Sequence, residues 1–204
     1  MKPIIMSAES VRAILDGRKT QTRRVIKPQP EPFLDTKTKM VWSYHHRAVY
    51  GTYAEMAEFM RLHSPYTVGQ RLWVREKWRP VYMTPRPRTE ELSVVQYADG
   101  SFNRDDWGGC KVGETWRSPI FMPRAFSRIT LEVTGNRGER LWDITYDDIL
   151  AEGWHCGLYD PIVARTVGAN DARKWYATLW DRLNPQYPWD SNPWVWVVEF
   201  RRIQ

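Results

Sequence analysis

Cysteine is nearly absent. Two residues, Cys110 and Cys156, stand among 204 with no C-x-x-C spacing. That excludes a disulfide scaffold and a cysteine-built zinc site, and it makes a reducing compartment the expectation. No run of eighteen apolar residues occurs, and the opening MKPIIMSAES carries no apolar leader core. Neither a membrane span nor secretion is therefore expected, and the predicted location is cytoplasmic. No glycine pattern forms a P-loop or a dinucleotide fingerprint, so nucleoside-triphosphate chemistry is not indicated. The adjacent pair His155 and Cys156 lacks further ligands in register, so no metal and no cofactor is expected. No internal repeat is visible.

What is present belongs to a folded chain. An apolar fraction of 42% and 12 tryptophans are incompatible with a disordered segment. The length suits one domain with generous insertions, able to bury a core unaided. The formal net charge of +6 favours polyanionic partners. Its distribution says more: residues 1–27 hold Lys2, Arg12, Arg18, Lys19, Arg23, Arg24 and Lys27 against Glu9 and Asp16. Residues 61–88 hold seven basic side chains against Glu76 alone.

The opening reads as strand, helix, strand. An apolar run covers 3–6, Ser7 caps a helix over Glu9 to Arg18, Gly17 ends it, and Thr20 to Ile26 turns β-branched before Pro28. Residues 28–66 read as irregular, with a short helix over Thr52 to Arg61. A turn at Val68-Gly69-Gln70 feeds a strand from Arg71 to Trp78, with Leu72 and Val74 on one face and Arg71, Arg75 and Lys77 on the other. Pro80 to Arg88 is too rich in proline and arginine for regular structure, a strand is predicted over Ser93 to Ala98, and 99–118 reads as a loop. Arg128 to Thr134 predicts a strand, with Gly135 and Gly138 marking a turn or bulge. Thr145 caps a helix from Tyr146 to Glu152 that stops at Gly153. A further helix over Asn170 to Leu183 gathers Ala172, Trp175, Tyr176, Leu179 and Trp180 on one side. Pro193 to Ile203 reads as a closing strand. These elements predict an α+β fold dominated by a sheet that closes on itself.

The segment Gly17-Arg18-Lys19-Thr20-Gln21-Thr22-Arg23-Arg24, placed between a helix and a strand, resembles the signature of the ASCH family. Val68 to Glu76 looks like that family's turn and strand, Ile144 to Gly153 like its helix ending in Ala-Glu-Gly, and Trp194 to Phe200 like its closing strand. With Met122-Pro123-Arg124 and Asn192-Pro193-Trp194, the chain is most similar to the long ASCH proteins of phages and prophages. The resemblance implies a PUA-like mixed β-barrel with short flanking helices, one domain over 1–204, and insertions at 28–66 and 79–118. It implies a basic cleft that binds RNA, another single-stranded nucleic acid or a modified nucleoside. Some small members remove the acetyl group from N4-acetylcytidine with a Lys, a Thr and a Glu, which by motif are Lys19, Thr22 and Glu152 here.

That chemistry is physically coherent. Lys19, its pKa lowered by burial and by neighbouring arginines, would take the Thr22 hydroxyl proton; the oxygen would attack the acyl carbon and Glu152 would pass a proton to the leaving nitrogen. Thr20 stays open as an alternative to Thr22, because the two share a strand face. Arg24, Arg75 and Arg124 are expected to contact phosphate or a base edge through their planar forks of donors. Glu76 falls on the opposite strand face from Arg75, available to pair with an arginine, and Trp78 shares its face as a stacking partner for a base. The readings compared are a binding protein for RNA or nucleosides, an amidohydrolase, and a phage accessory module that contacts another protein through an exposed apolar patch.

Overall fold

The computed structural model describes residues 1–34, 40–44, 47–83, 94–103, 110–113, 115–155 and 161–204. It is a mixed α and β architecture of eleven strands and four helices among the described residues. The strands are β1 (Lys2–Ile5), β2 (Gln21–Val25), β3 (Glu31–Leu34), β4 (Met40–Tyr44), β5 (Arg47–Tyr50), β6 (Arg71–Arg75), β7 (Trp78–Met83), β8 (Val94–Tyr97), β9 (Cys110–Val112), β10 (Thr130–Arg140) and β11 (Trp194–Arg202). The helices are α1 (Ala8–Leu15), α2 (Tyr53–Leu62), α3 (Tyr146–Ala151) and α4 (Pro161–Leu183). The main sheet has the strand order β1-β6-β10-β11-β2 and is open, with β1 and β2 at its edges. Two smaller antiparallel sheets run β3-β4-β5 and β8-β7-β9.

The chain divides into two compact units. The first comprises Met1–Gly17, Gln70–Glu132 and Arg201–Gln204; the second comprises Arg18–Gly69 and Val133–Phe200. Within the first, β1 and β6 pair in parallel, Lys2 opposite Leu72, and β6 pairs antiparallel with the start of β10. Its core includes Trp78, Val95, Tyr97 and Met122, with Phe126 against them. Within the second, β11 pairs antiparallel with β2, Val197 opposite Arg23. Val195 and Val197 of β11 join Leu141, Ile144, Ile149, Ala172, Tyr176 and Trp180 in one apolar cluster. The four-residue spacing of Ala172, Tyr176 and Trp180 is what lets α4 present a single buried face.

Capping decides where the helices begin. Ser7 accepts from Ser10 N at 3.2 Å to start α1, and Thr52 and Thr145 open α2 and α3 with reciprocal capping boxes to Glu55 and Asp148. Gly17, at φ 73°, turns the chain out of α1.

Five expectations change. Residues 31–34, 40–44 and 47–50 are not irregular, because they form β3, β4 and β5, a meander with Pro32 opposite Trp42 and Val41 opposite Tyr50. Pro80 lies inside β7. There Val95, its partner, turns its N–H to the Asn103 side chain and its C=O to the Asn103 N–H, so the pairing with β8 asks no donor of the proline. The loop read over 99–118 contains β9, and two turns of 3-10 helix follow it at Pro119–Phe121 and Arg124–Phe126, while its residues 104–109 and 114, like the 84–93 stretch, lie outside the described residues. Gly135 and Gly138 do not mark a turn: β10 runs through both. A Cβ at Gly135 would overlap the Glu199 carboxylate, and one at Gly138 would overlap the Met60 side chain, so these glycines admit neighbours and do not turn the chain. The α4 helix also starts earlier than Asn170, at Pro161, a residue suited to a first helical position.

Among the described residues no helix is long and apolar enough to cross a membrane. Gly138→Ala is expected to destabilise the chain by about 1–3 kcal/mol through overpacking against Met60, read as a lower urea midpoint with an unchanged slope.

Candidate functional site

The second unit buries a network of charge. Just before β2 the chain pairs with the end of α3: Thr20 N donates to Ala151 O at 2.9 Å, and Lys19 and Glu152 form an antiparallel bridge. This places the Lys19 ammonium against Glu152, where Nζ donates to Oε2 at 2.5 Å and to the Glu152 carbonyl at 2.9 Å. Lys19 is 4% exposed and Glu152 5%. The other carboxylate oxygen of Glu152 accepts from Arg23 Nη1 and from the Tyr176 hydroxyl, both at 3.3 Å.

Arg23 is the hub. Its Nε and Nη2 donate to Glu139 Oε1 at 3.0 and 2.7 Å, and Nη2 lies 3.1 Å from Asp148 Oδ2. Arg137 then closes the circuit, contacting Glu139 at 2.8 Å, Asp148 at 2.7 Å and Glu199 at 2.6 Å, while Gln21 Nε2 donates to Asp148 Oδ1 at 3.0 Å. Three cations (Lys19, Arg23, Arg137) thus face four carboxylates (Glu139, Asp148, Glu152, Glu199). Positive charge in this cluster is neutralised internally.

Burial tunes these groups. For Lys19 the loss of hydration is the largest influence and lowers the pKa; Glu152 opposes it, and Arg24 and Arg23 push further down. For Tyr176 burial, joined by the Glu152 charge, raises the phenol well above its ordinary value. Burial works against the Arg23 charge too, but Tyr176, Glu152, Glu139 and Asp148 outweigh it and hold the guanidinium protonated. Burial would raise Asp148, yet the Thr145 N–H, Arg23, Gln21 and the Thr145 hydroxyl hold it well below the usual carboxylate range.

No protein-family model matches this chain, and neither a curated protein nor a solved structure matches it.

The residues singled out in the sequence are distributed unevenly. Lys19 and Glu152 meet. Thr22, buried opposite Val198, lies on β2 between Gln21 and Arg23, whose side chains both reach the network. Thr22 and Arg24 hold the other parity on β2, though the Arg24 charge still acts on Lys19. Arg75, Glu76, Trp78 and Arg124 belong to the first unit. There the Arg75 guanidinium sits 4.6 Å above the Trp73 ring, and exposed Arg124 contacts Met1 Sδ. Glu76 is held in a bidentate pair by Arg128 at 2.9 and 2.7 Å, with Asp99 also on that guanidinium. Burial raises the Glu76 pKa against the pull of Arg128. Trp78 is 1% exposed and packs among Val95, Tyr97 and Met122, so its ring is covered and offers no face to a base. Among the described residues no cluster of His, Cys, Asp and Glu could hold a metal; Cys156 lies outside them.

Arg23, Glu139, Asp148 and Tyr176 were not singled out as site residues. The first had a usable signal, because Lys19, Gln21 and Arg23 share parity along one strand. The others come from elements over a hundred residues away, and no local pattern announces them.

The shifted carboxylate gives a pH prediction. A depressed folded pKa contributes stability above the ordinary aspartate range that is lost as pH falls through the folded value. Asp148→Asn is expected to cost about 3 kcal/mol at neutral pH and to flatten the acid limb of stability below about pH 4, as measured by urea unfolding across pH.

Proposed function

We propose that this chain is an ASCH-type protein of PUA-like fold whose second unit recognises a nucleobase, and that the buried Lys19–Glu152 pair does the reading. The observation that carries this is a donor-only ammonium and an acceptor-only carboxylate 2.5 Å apart, held from behind by Arg23 and Tyr176. A cytosine edge presents the complementary set, with ring and carbonyl acceptors beside an exocyclic amino donor. Because the network neutralises its own cations, this site suits an uncharged base better than a phosphate. The net charge of +6 supports a nucleic acid or modified nucleoside as the partner class, and the cysteine usage supports a cytoplasmic setting.

A second reading, hydrolysis of an N-acylated cytidine, is favoured by one observation: burial lowers the Lys19 pKa. A neutral lysine is a general base. In this reading Lys19 removes a proton from a water, the resulting hydroxide attacks the acyl carbon, and the same proton is relayed from Lys19 through Glu152 to the amino nitrogen as the C–N bond breaks, releasing a carboxylate and cytidine. In this reading a water is the nucleophile, because strand parity separates Thr22 from Gln21 and Arg23, whose side chains reach the network.

The test is calorimetric titration with cytidine and N4-acetylcytidine, run beside chromatographic detection of deacetylation. The expected result is binding that Lys19→Met and Glu152→Gln each weaken at least about tenfold, in line with leaving a buried partner unpaired. Unchanged affinity in both variants would remove the site. Turnover, where seen, is expected to rise with pH through the lowered Lys19 pKa and to survive Thr22→Val.

A further inference from the structure

The first unit carries a surface built on a different principle from the buried networks. Where β7 begins, the segment through Trp116 and Arg117 runs antiparallel beside it: Arg117 N donates to Trp78 O at 2.7 Å, and Trp78 and Arg117 form a bridge. Alternation therefore separates two faces. Trp78 points into the core with the Arg117 guanidinium 5.0 Å over its ring. On the other face Trp116 is flanked by two cations, Arg79 at 4.6 Å and Lys77 at 5.7 Å from the ring centroid. Gln96 of β8, paired with Arg79, accepts from its Nε at 2.8 Å. Lys77 and Arg117 are exposed; Arg79, Gln96 and Trp116 are half-buried.

The contrast with the rest of the chain is informative. Arg23, Arg61, Arg128, Arg137 and Arg201 each meet a carboxylate. Among the described residues Lys77, Arg79 and Arg117 meet none, and their positive charge rests only against indole rings and one amide. Alternate residues of an extended strand stand about 7 Å apart, a separation on the scale of adjacent phosphates in an extended single strand. An indole set between such cations is the arrangement that stacks a base while its neighbours take the backbone. Nothing in the patch reads a base edge or a sugar hydroxyl.

We infer that the Lys77–Trp116–Arg79 face binds a single-stranded polynucleotide without sequence preference, through phosphate contacts and one stacked base. The inference does not rest on the reading given to Lys19 and Glu152. It goes beyond that reading by making a strand, and not only a free nucleoside, a partner of this chain.

The experiment is fluorescence anisotropy with labelled oligo-U and oligo-dT of about twelve nucleotides, titrated with the full chain between roughly 50 and 200 mM salt. Both strands are expected to bind, with affinity falling as salt rises. Lys77→Glu, a change at an exposed side chain, and Arg79→Ala are each expected to weaken binding about tenfold and to make the salt slope shallower by about one. Trp116→Ala is expected to weaken it about five- to a hundredfold while leaving the salt slope unchanged. Arg61→Ala, which removes an exposed arginine of the other unit, is expected to change nothing. The proposal is overturned if Lys77→Glu and Arg79→Ala bind as the unaltered chain does, if affinity ignores salt, or if a duplex of the same length binds equally well. Lys19→Met separates the two readings: a variant that keeps oligonucleotide binding supports this surface, and one that abolishes it while the Lys77 and Arg79 variants do not would overturn it.

Discussion

The second unit depends on one buried guanidinium. The Arg23 side chain has no exposure to solvent, and it sits between Glu139 of β10, Asp148 in the first turn of α3 and Glu152 at that helix's end. An arginine so placed cannot shed its proton, so every carboxylate around it must be present and ionised, or the charge is stranded. One side chain on β2 thereby fixes where the strand, the helix and the neighbouring β10 meet. Tyr176 adds α4 to the same point through Glu152. Lys19 owes its place against Glu152 to this arrangement, because Arg23 and Tyr176 hold the carboxylate from its other oxygen.

Two kinds of positive charge emerge from this. Lys19, Arg23, Arg128 and Arg137 are matched one for one or better by carboxylates, and their work is to orient other groups and hold elements together. Lys77, Arg79 and Arg117 sit at the surface against aromatic rings, where an ammonium or guanidinium keeps its attraction for an anion while its stem covers apolar surface. A count of basic residues in the sequence merges the two. The runs at 1–27 and 61–88 have similar composition, yet Arg23 in the first is buried and paired, whereas Lys77 in the second is exposed.

That difference also marks how far the sequence could be read. Two helix starts were legible because a cap is local: Ser7 and Thr145 each act on a residue three positions on. The strand after Lys19 and the helix before Glu152 were legible for the same reason. Pro80 misled because whether a strand tolerates proline depends on whether its partner's C=O needs a donor, and the Val95 carbonyl accepts instead from the N–H of Asn103, more than twenty residues from the proline. Gly135 and Gly138 misled because each makes room for a side chain from elsewhere, Glu199 or Met60, and a glycine's reason is invisible without its neighbour. Trp78 was assigned a stacking role from its parity with Glu76, but parity gives a face without saying which face is covered. Both Glu76 and Trp78 point inward, and the aromatic ring on the accessible side is Trp116.

The closing strand has a consequence for the order in which the molecule can be made. Residues Trp194 to Val198 are buried in unbroken succession, and Val195 and Val197 complete the cluster of Leu141, Ile149, Tyr176 and Trp180. All of those partners leave the ribosome earlier. Until β11 follows, a growing chain holds a tryptophan, a tyrosine and several aliphatic side chains with no strand to cover them, and β2 lacks its antiparallel neighbour. Vectorial synthesis thus leaves the second unit's apolar surface and its charged network exposed together during translation, a window in which holding chaperones would find their surface and the native state would not yet have formed.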